Sequence, residues 1–331
     1  RKILAALFIV LKSEQADQRV QEAAIKLVAN YGQSSFYQLA TSDHFFLDNA
    51  MKSILNLMQL NLARPDSICI QRNASIIFSR MSSKKDLRRT CASAEVFGII
   101  FLVIQRHQAC SDTITSSLVS LLNFCEGSDH SKIFIGEKSA DISTVMRVHI
   151  DNQYIQEISC KLLRSLALYE ENQVIIERAK GVDGLVDAIL AHISCQSVVE
   201  EALAAFLVLS ANTELSVLKS NRIGYEVIIQ ALWVHYQVPG VVTTAFHILA
   251  NFSSHDPRSL ENRDLDPVVY MMIYHRQDSK VQDAACRVLY NCACFPNNLK
   301  LLGANERILQ LLLELPSSNH LTSECKNRAT R

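Results

Sequence analysis

A fixed spacing constrains this sequence more than any other feature. Val20, Ile70, Thr113, Ile155, Val198, Val241 and Val281 each open a segment of helical hydrophobic period, and successive members stand 50, 43, 42, 43, 43 and 40 residues apart. Periods of about 40 to 47 residues belong to stacked helical units, each of which buries its apolar face against its neighbours instead of in one central core. Histidines keep the same spacing: His107, His149, His192, His235 and His275 each stand six residues before Thr113, Ile155, Val198, Val241 and Val281. Residues 1–331 are therefore read as one array, although length alone would allow two or three globular domains. The chain begins at Arg1, without a methionine and with the second half of a repeat under way, which predicts an excerpt or processed product of a longer chain.

Counting from each opening residue as position 0, positions 0, 4, 7, 8 and 11 are mostly apolar, one face of a helix with 3.6 residues per turn. The first unit holds Val20, Ala24, Leu27, Val28 and Tyr31 there, and the last Val281, Ala285, Val288, Leu289 and Cys292. Thr113 and Ser117 make the third unit the weakest match. A shorter apolar helix precedes the long one, as at 184–193 and 305–315, and a brief segment with asparagine and a small residue follows it, as at 172–181 and 298–303. That is three helices per unit. Pro65, Pro239, Pro257, Pro267, Pro296 and Pro316 are all expected in connections or at helix starts, where a missing N–H costs little. The 50-residue first interval predicts a longer loop around 61–67.

The pattern of an apolar residue, two residues and His, then a five-residue gap, V-Q-E-x-A/S-C and x-L-x-N-L, resembles the armadillo repeat family, especially its units with a histidine ending the second helix. Such units occur in the armadillo segments of leucine-rich repeat kinases. The resemblance implies an all-α fold, an armadillo-like right-handed α-solenoid: a superhelix of about seven three-helix repeats. Each histidine is expected to cap its own helix, donating to its last carbonyls.

Several function classes lack their marks. Nine glycines include no G-x-G pair, and no G-x-x-x-x-G-K, H-E-x-x-H or G-x-S-x-G occurs, so the dinucleotide, P-loop, zincin and hydrolase fingerprints are missing. No catalytic residue, metal site or cofactor is expected, and an unrecognised Cys/His enzyme is the remaining enzymatic alternative. Ten cysteines in a helix-patterned chain predict free thiols, hence an intracellular setting, cytoplasmic or nuclear. The longest apolar runs are too short to cross a bilayer. With 33 basic and 33 acidic side chains, the overall charge gives no pull toward nucleic acid or membrane. Lys84, Lys85, Arg88 and Arg89 form the sharpest basic cluster, read as a solvated turn between repeats.

The side of the long helix left by the core is expected to bind a partner. In catenins and importin α, which the chain resembles, an asparagine ladder at position 10 holds the main chain of an extended peptide. Here position 10 reads Asn30, Arg80, Asn123, Ser165, Val208, Asn251 and Asn291. Position 6 carries Lys26, Lys161, His247 and Arg287, with no tryptophan to stack on a basic signal; Trp233, the only one, lies on a second helix. The expected function is a protein-binding scaffold or adaptor taking an extended peptide or partner domain in its concave groove. Its ligand is expected to be acidic or phosphorylated, although Glu201 and Val208 interrupt a basic track. One alternative is an armadillo regulatory segment of a larger protein such as a kinase, packing on other domains of the same chain. An importin-like cargo adaptor is disfavoured by the missing tryptophans.

Overall fold

Two of the third helices start where period and side-chain cap agree. In the computed structural model Asp278 caps one of them, its Oδ1 accepting from the backbone N–H of Lys280 and Val281 at 2.9 and 3.1 Å, and Asn152 caps the other by accepting from Ile155 at 3.1 Å. The structure describes residues 2–13, 16–31, 40, 42–64, 66–212, 222–255, 262–314 and 323–330. All regular elements among them are helices, and they divide into two compact units, Arg1–Gly181 and Val182–Arg331.

The first unit holds α1 (Lys2–Lys12), α2 (Gln18–Tyr31), α3 (His44–Asn61), α4 (Ile68–Ser82), α5 (Lys85–Cys91), α6 (Ala94–Arg106), α7 (Ser111–Cys125), α8 (Asp129–Gly136), α9 (Ser139–Val148), α10 (Gln153–Ala167) and α11 (Glu170–Arg178). The second holds α12 (Gly181–Ala191), α13 (Gln196–Ser210), α14 (Arg222–Val234), α15 (Pro239–His255), α16 (Asn262–Tyr274), α17 (Ser279–Ala293), α18 (Pro296–Ala304), α19 (Glu306–Glu314) and α20 (Ser323–Thr330). Helices α2, α4, α7, α10, α13, α15 and α17 begin two residues before Val20, Ile70, Thr113, Ile155, Val198, Val241 and Val281.

Like packs on like. In the first unit α2, α4, α7 and α10 stack in order, as do α1, α3, α6 and α9; in the second, α13, α15, α17 and α20 stack, and so do α14, α16 and α19. The core lies between these rows. Ala74, Ala202, Ala245 and Ala285, all at position 4, are fully buried, as is Cys160 at position 5. A methyl group there lets neighbouring helices approach closely.

Three local expectations are corrected, and one element is added. Val20 and Leu27 are 50% and 52% exposed, because among the described residues no third helix precedes α2 to cover positions 0 and 7. Pro267 lies inside α16. Pro239 and Pro296 do open α15 and α18, while Pro65, Pro257 and Pro316 lie outside the described residues. The long first interval is not chiefly a loop at 61–67. The connection 62–67 is two residues longer than its counterpart 107–110, whereas α3 has 18 residues against 13 in α6. Finally, α20 is an element the apolar pattern did not reveal; it packs on α17, and Arg328 reaches Asp283 at 2.9 Å.

The repeat histidines do more than end their helices. Each of the five bonds its backbone N–H to the carbonyl four residues back, and its own carbonyl accepts the N–H three residues on. The rings, however, point to the preceding repeat: Nε2 of His149 lies 2.6 Å from the carbonyl oxygen of Gln108, and that of His235 lies 2.7 Å from Ile193 O. Gln156 and Gln282, the Q of the repeat motif, hold the same corner from inside. Their Nε2 donates to the carbonyls of Met146 and His149 in one case, and of Met272 and His275 in the other, at 2.8 to 3.0 Å. These carbonyls end the second helices and lack partners within them.

Candidate peptide-binding face

Positions 2, 6 and 10 of a third helix follow one another at four-residue steps and share a side. The structure ties much of the position-10 row to the repeat before it. Asn123 donates from Nδ2 to Ser79 O at 3.3 Å and Ser82 Oγ at 3.1 Å. Asn251 donates to Ser210 Oγ at 2.9 Å, and Asn291 to Ala250 O at 2.7 Å. Arg80 donates from its guanidinium to the carbonyl of Ala29. Each acceptor sits toward the C-terminal end of the preceding third helix. Asn30 is exposed near the end of α2. The row expected to grip a ligand therefore also fastens helix to helix, and Asn123, Asn251 and Asn291 are left half-buried.

The position-6 cations are unequal. Lys26 and Arg287 are exposed. Lys161 is paired at 2.5 Å with Glu157, one turn back at position 2. His247 is half-buried, and burial first, then the neighbouring Arg287, pushes its pKa below the usual histidine value, which favours the neutral form. Its Nδ1 is buried without a partner among the described residues. Carboxylates run beside this row at position 2, as Glu22, Glu157, Glu200 and Asp283. Glu22 accepts from Gln18 at 3.1 Å, and Asp283 pairs with Arg328. The face is thus of mixed charge. Its signal was in the sequence, as the acid two residues after the opening apolar residue in V-Q-E, I-Q-E and V-Q-D.

Within the second unit α15 and α17 bring His247, Asn251, Arg287 and Asn291 together. In the first, α4 and α7 hold Arg80 and Asn123 on adjacent helices, with Asn30 and Lys26 on α2 beyond them and Lys161 on α10. The basic cluster at 84–89 is reduced by packing. Arg88 donates from Nε to Ser82 O at 2.7 Å and pairs with Glu126 at 3.2 Å, leaving Lys84, Lys85 and Arg89 exposed.

No disulfide joins any of the nine described cysteines. Burial pushes Cys91, Cys125 and Cys292 up to about 12. Among the described residues no three His, Cys, Asp or Glu side chains converge as a metal site would require, and no helix is long and apolar enough to cross a membrane.

No protein-family profile matches this sequence, and no curated protein matches it. Solved structures do match its fold. A structure described as a conserved phosphorylation switch controlling the interaction between cadherin and beta-catenin aligns with 98% of this chain at 14% identity and a TM-score of 0.68; this chain covers 66% of that one. She4p aligns with 99% at 14% identity and a TM-score of 0.60, with 49% of its own length covered. A designed armadillo repeat protein in complex with the peptide (KR)4 aligns with 72% of this chain and 99% of its own, at 15% identity and a TM-score of 0.57. At such identities the likeness is one of architecture. Helix order, the stacking of equivalent helices and these neighbours together make the fold all-α, an armadillo-like α-solenoid.

Proposed function

We propose that the chain is a protein-interaction scaffold whose third-helix face receives an extended segment of a partner. The observation that carries this reading is the half-buried asparagine row. In Asn123, Asn251 and Asn291 the amide nitrogen is anchored to the preceding repeat, which fixes the direction of the side-chain oxygen. An acceptor held in place in this way loses little entropy on meeting a peptide N–H. Asn251 and Asn291 lie on adjacent helices and form the core of the site, with Arg287 beside them. Asn30, Lys26, Arg80 and Lys161 occupy the equivalent side of third helices within the first unit. The ligand is an acidic or phosphorylated segment: Lys26 and Arg287 are the exposed cations of the position-6 row, and each adds a salt-screened attraction. The cadherin–beta-catenin and designed (KR)4 neighbours support the class, since both engage protein or peptide ligands.

Titration of acidic, phosphorylated and basic peptide pools against the whole chain tests the proposal. Acidic or phosphorylated peptides should bind, more weakly as salt rises, and Asn251→Ala with Asn291→Ala should weaken them about tenfold. The double variant also removes two ties, so its folded fraction is checked by circular dichroism at the binding temperature. Capture of basic peptides that disappears in this double variant sinks the acidic assignment. Acidic binding indifferent to the asparagines removes the face itself.

A further inference from the structure

The second helices of the second unit carry an aromatic cluster on their exposed side, which the peptide face does not use. Trp233, near the end of α14, lies 5.3 Å ring to ring from Tyr270 of α16. Tyr236, in the turn after α14, lies 6.0 Å from Tyr270 and 5.0 Å from Tyr274. Tyr270 and Tyr274, one turn apart on α16, are stacked with an interplanar angle of 17°. Trp233, Tyr270 and Tyr274 are 43%, 42% and 48% exposed, and Val234 and Ile273 beside them are exposed as well. These five side chains leave on the order of 400 Å² of mostly apolar surface open, the size of the largest patch on an ordinary monomer. Core packing does not account for it. The buried stripe of the same helices is Ala231, Leu232, Val268, Met271 and Met272, so the rings form a second apolar stripe facing away from the core.

The charges around the rings say what would cover them. On α14 and α16 the described exposed charges are Glu226 and Asp266, and α19, which packs on α16, adds Glu306 and one cation, Arg307, so carboxylates are in the majority. Asp266 stands one turn before Tyr270. Arg276, the first cation after Tyr274, is paired with Glu314 at 2.7 Å. The π faces of tryptophan and tyrosine are themselves negative, so rings and carboxylates favour the same sign of partner. An arginine or lysine can lay its apolar stem on a ring while its charged head reaches a carboxylate. A proline-rich segment would use the rings and gain nothing from the carboxylates. A second copy would bring further carboxylates against those present.

We propose that Trp233, Tyr236, Tyr270 and Tyr274 form a second binding site, for an extended segment of a partner protein that carries arginine or lysine side chains. This site lies on second helices and is independent of the third-helix asparagines, so variants separate the two.

The test is titration of the full chain into a fluorescent peptide of alternating arginine and alanine, read by anisotropy, with glutamate–alanine and proline-rich peptides alongside. The arginine peptide should bind saturably. Trp233→Ala with Tyr274→Leu should weaken it at least tenfold, Tyr274→Phe should retain it, and Asp266→Asn should weaken it severalfold. Asn251→Ala with Asn291→Ala should leave it unchanged. The ring positions are exposed, and thermal melts verify that the variants fold; Tyr274→Leu keeps apolar area while removing the π face. Failure of the arginine peptide to saturate, binding that survives loss of the rings, or preference for the proline-rich peptide would each overturn the proposal. So would self-association of the chain that the ring variants abolish.

Discussion

His275 and Tyr236 are joined across a repeat boundary: the imidazole Nε2 lies 2.6 Å from the main-chain oxygen of Tyr236. His149 with Gln108, and His235 with Ile193, repeat the arrangement. His107 occupies the same place in its own unit, but its Nε2 has no partner among the described residues.

This difference makes a prediction. His149→Leu and His275→Leu each strand a carbonyl at a helix end and should cost about 1–3 kcal/mol. His107→Leu removes a buried nitrogen that bonds to none of the described residues, and should be close to neutral or stabilising. Urea denaturation of the three variants, at constant m-value, measures the contrast; equal losses would mean that the ring contacts do not hold the repeats together.

A second prediction concerns close approach of first helices. A Cβ on Gly136 would meet Asn172 Oδ1 at 2.1 Å, and Asn172 is fixed by donating to Lys132 O and Leu166 O at 2.9 and 3.0 Å. Gly136→Ala must displace that side chain, at an expected cost of about 2 kcal/mol or more. Gly98, within α6, has nothing within 4 Å of the same hypothetical atom. Gly98→Ala should stabilise by about 0.5–1 kcal/mol through helix propensity. Melting temperatures of the pair should move in opposite directions.

Acidification should weaken the fold through His247. Its folded pKa is held below the unfolded value, by burial and then by Arg287, with Arg328 acting in the same sense and Asp283 against them. The unfolded chain then binds the proton more readily, so stability is fully present above about 6.5, the unfolded histidine value, and is lost as pH falls through the window beneath it. His107, lowered by burial and Arg106, acts in the same direction. His247→Gln should flatten the dependence of melting temperature on pH between 7 and 5; an unchanged slope would show that His247 does not couple to folding.

The fold class was legible because a solenoid writes its architecture along the chain. The buried residues Ile155, Leu162, Leu163 and Leu166 recur with helical period inside a unit, and the unit recurs with its own. What stayed hidden depends on contacts one repeat away. The imidazole of His149 was expected to serve its own helix, yet it spends its hydrogen bond on Gln108, 41 residues back. Asn123, Asn251 and Asn291 showed the right residue type in the right row, but not that their amides are anchored, since their acceptors are a backbone carbonyl or a hydroxyl 41 to 44 residues earlier. The pairing of Lys161 with Glu157 was readable as an i, i+4 spacing and shows how a cation counted toward a ligand is already neutralised. Helix α20 escaped because S-E-C-K-N-R-A-T carries too few apolar residues to show a period. Pro267 escaped because a proline marks a helix boundary only by tendency.

The histidine ties have a consequence for how such a chain can change length. His275 grips the residue after His235, and His235 grips the residue after His192. Excision of residues 236–275 would leave His235 joined to Arg276, with every remaining tie still meeting an equivalent partner. Removing a few residues from a helix that carries a tie would turn its ring away from its carbonyl, whereas the loops absorb small changes: the three ties span 41, 42 and 39 residues. Whole repeats can thereby be added or subtracted with every tie preserved, and variation by a few residues is confined to the segments between tied helix ends.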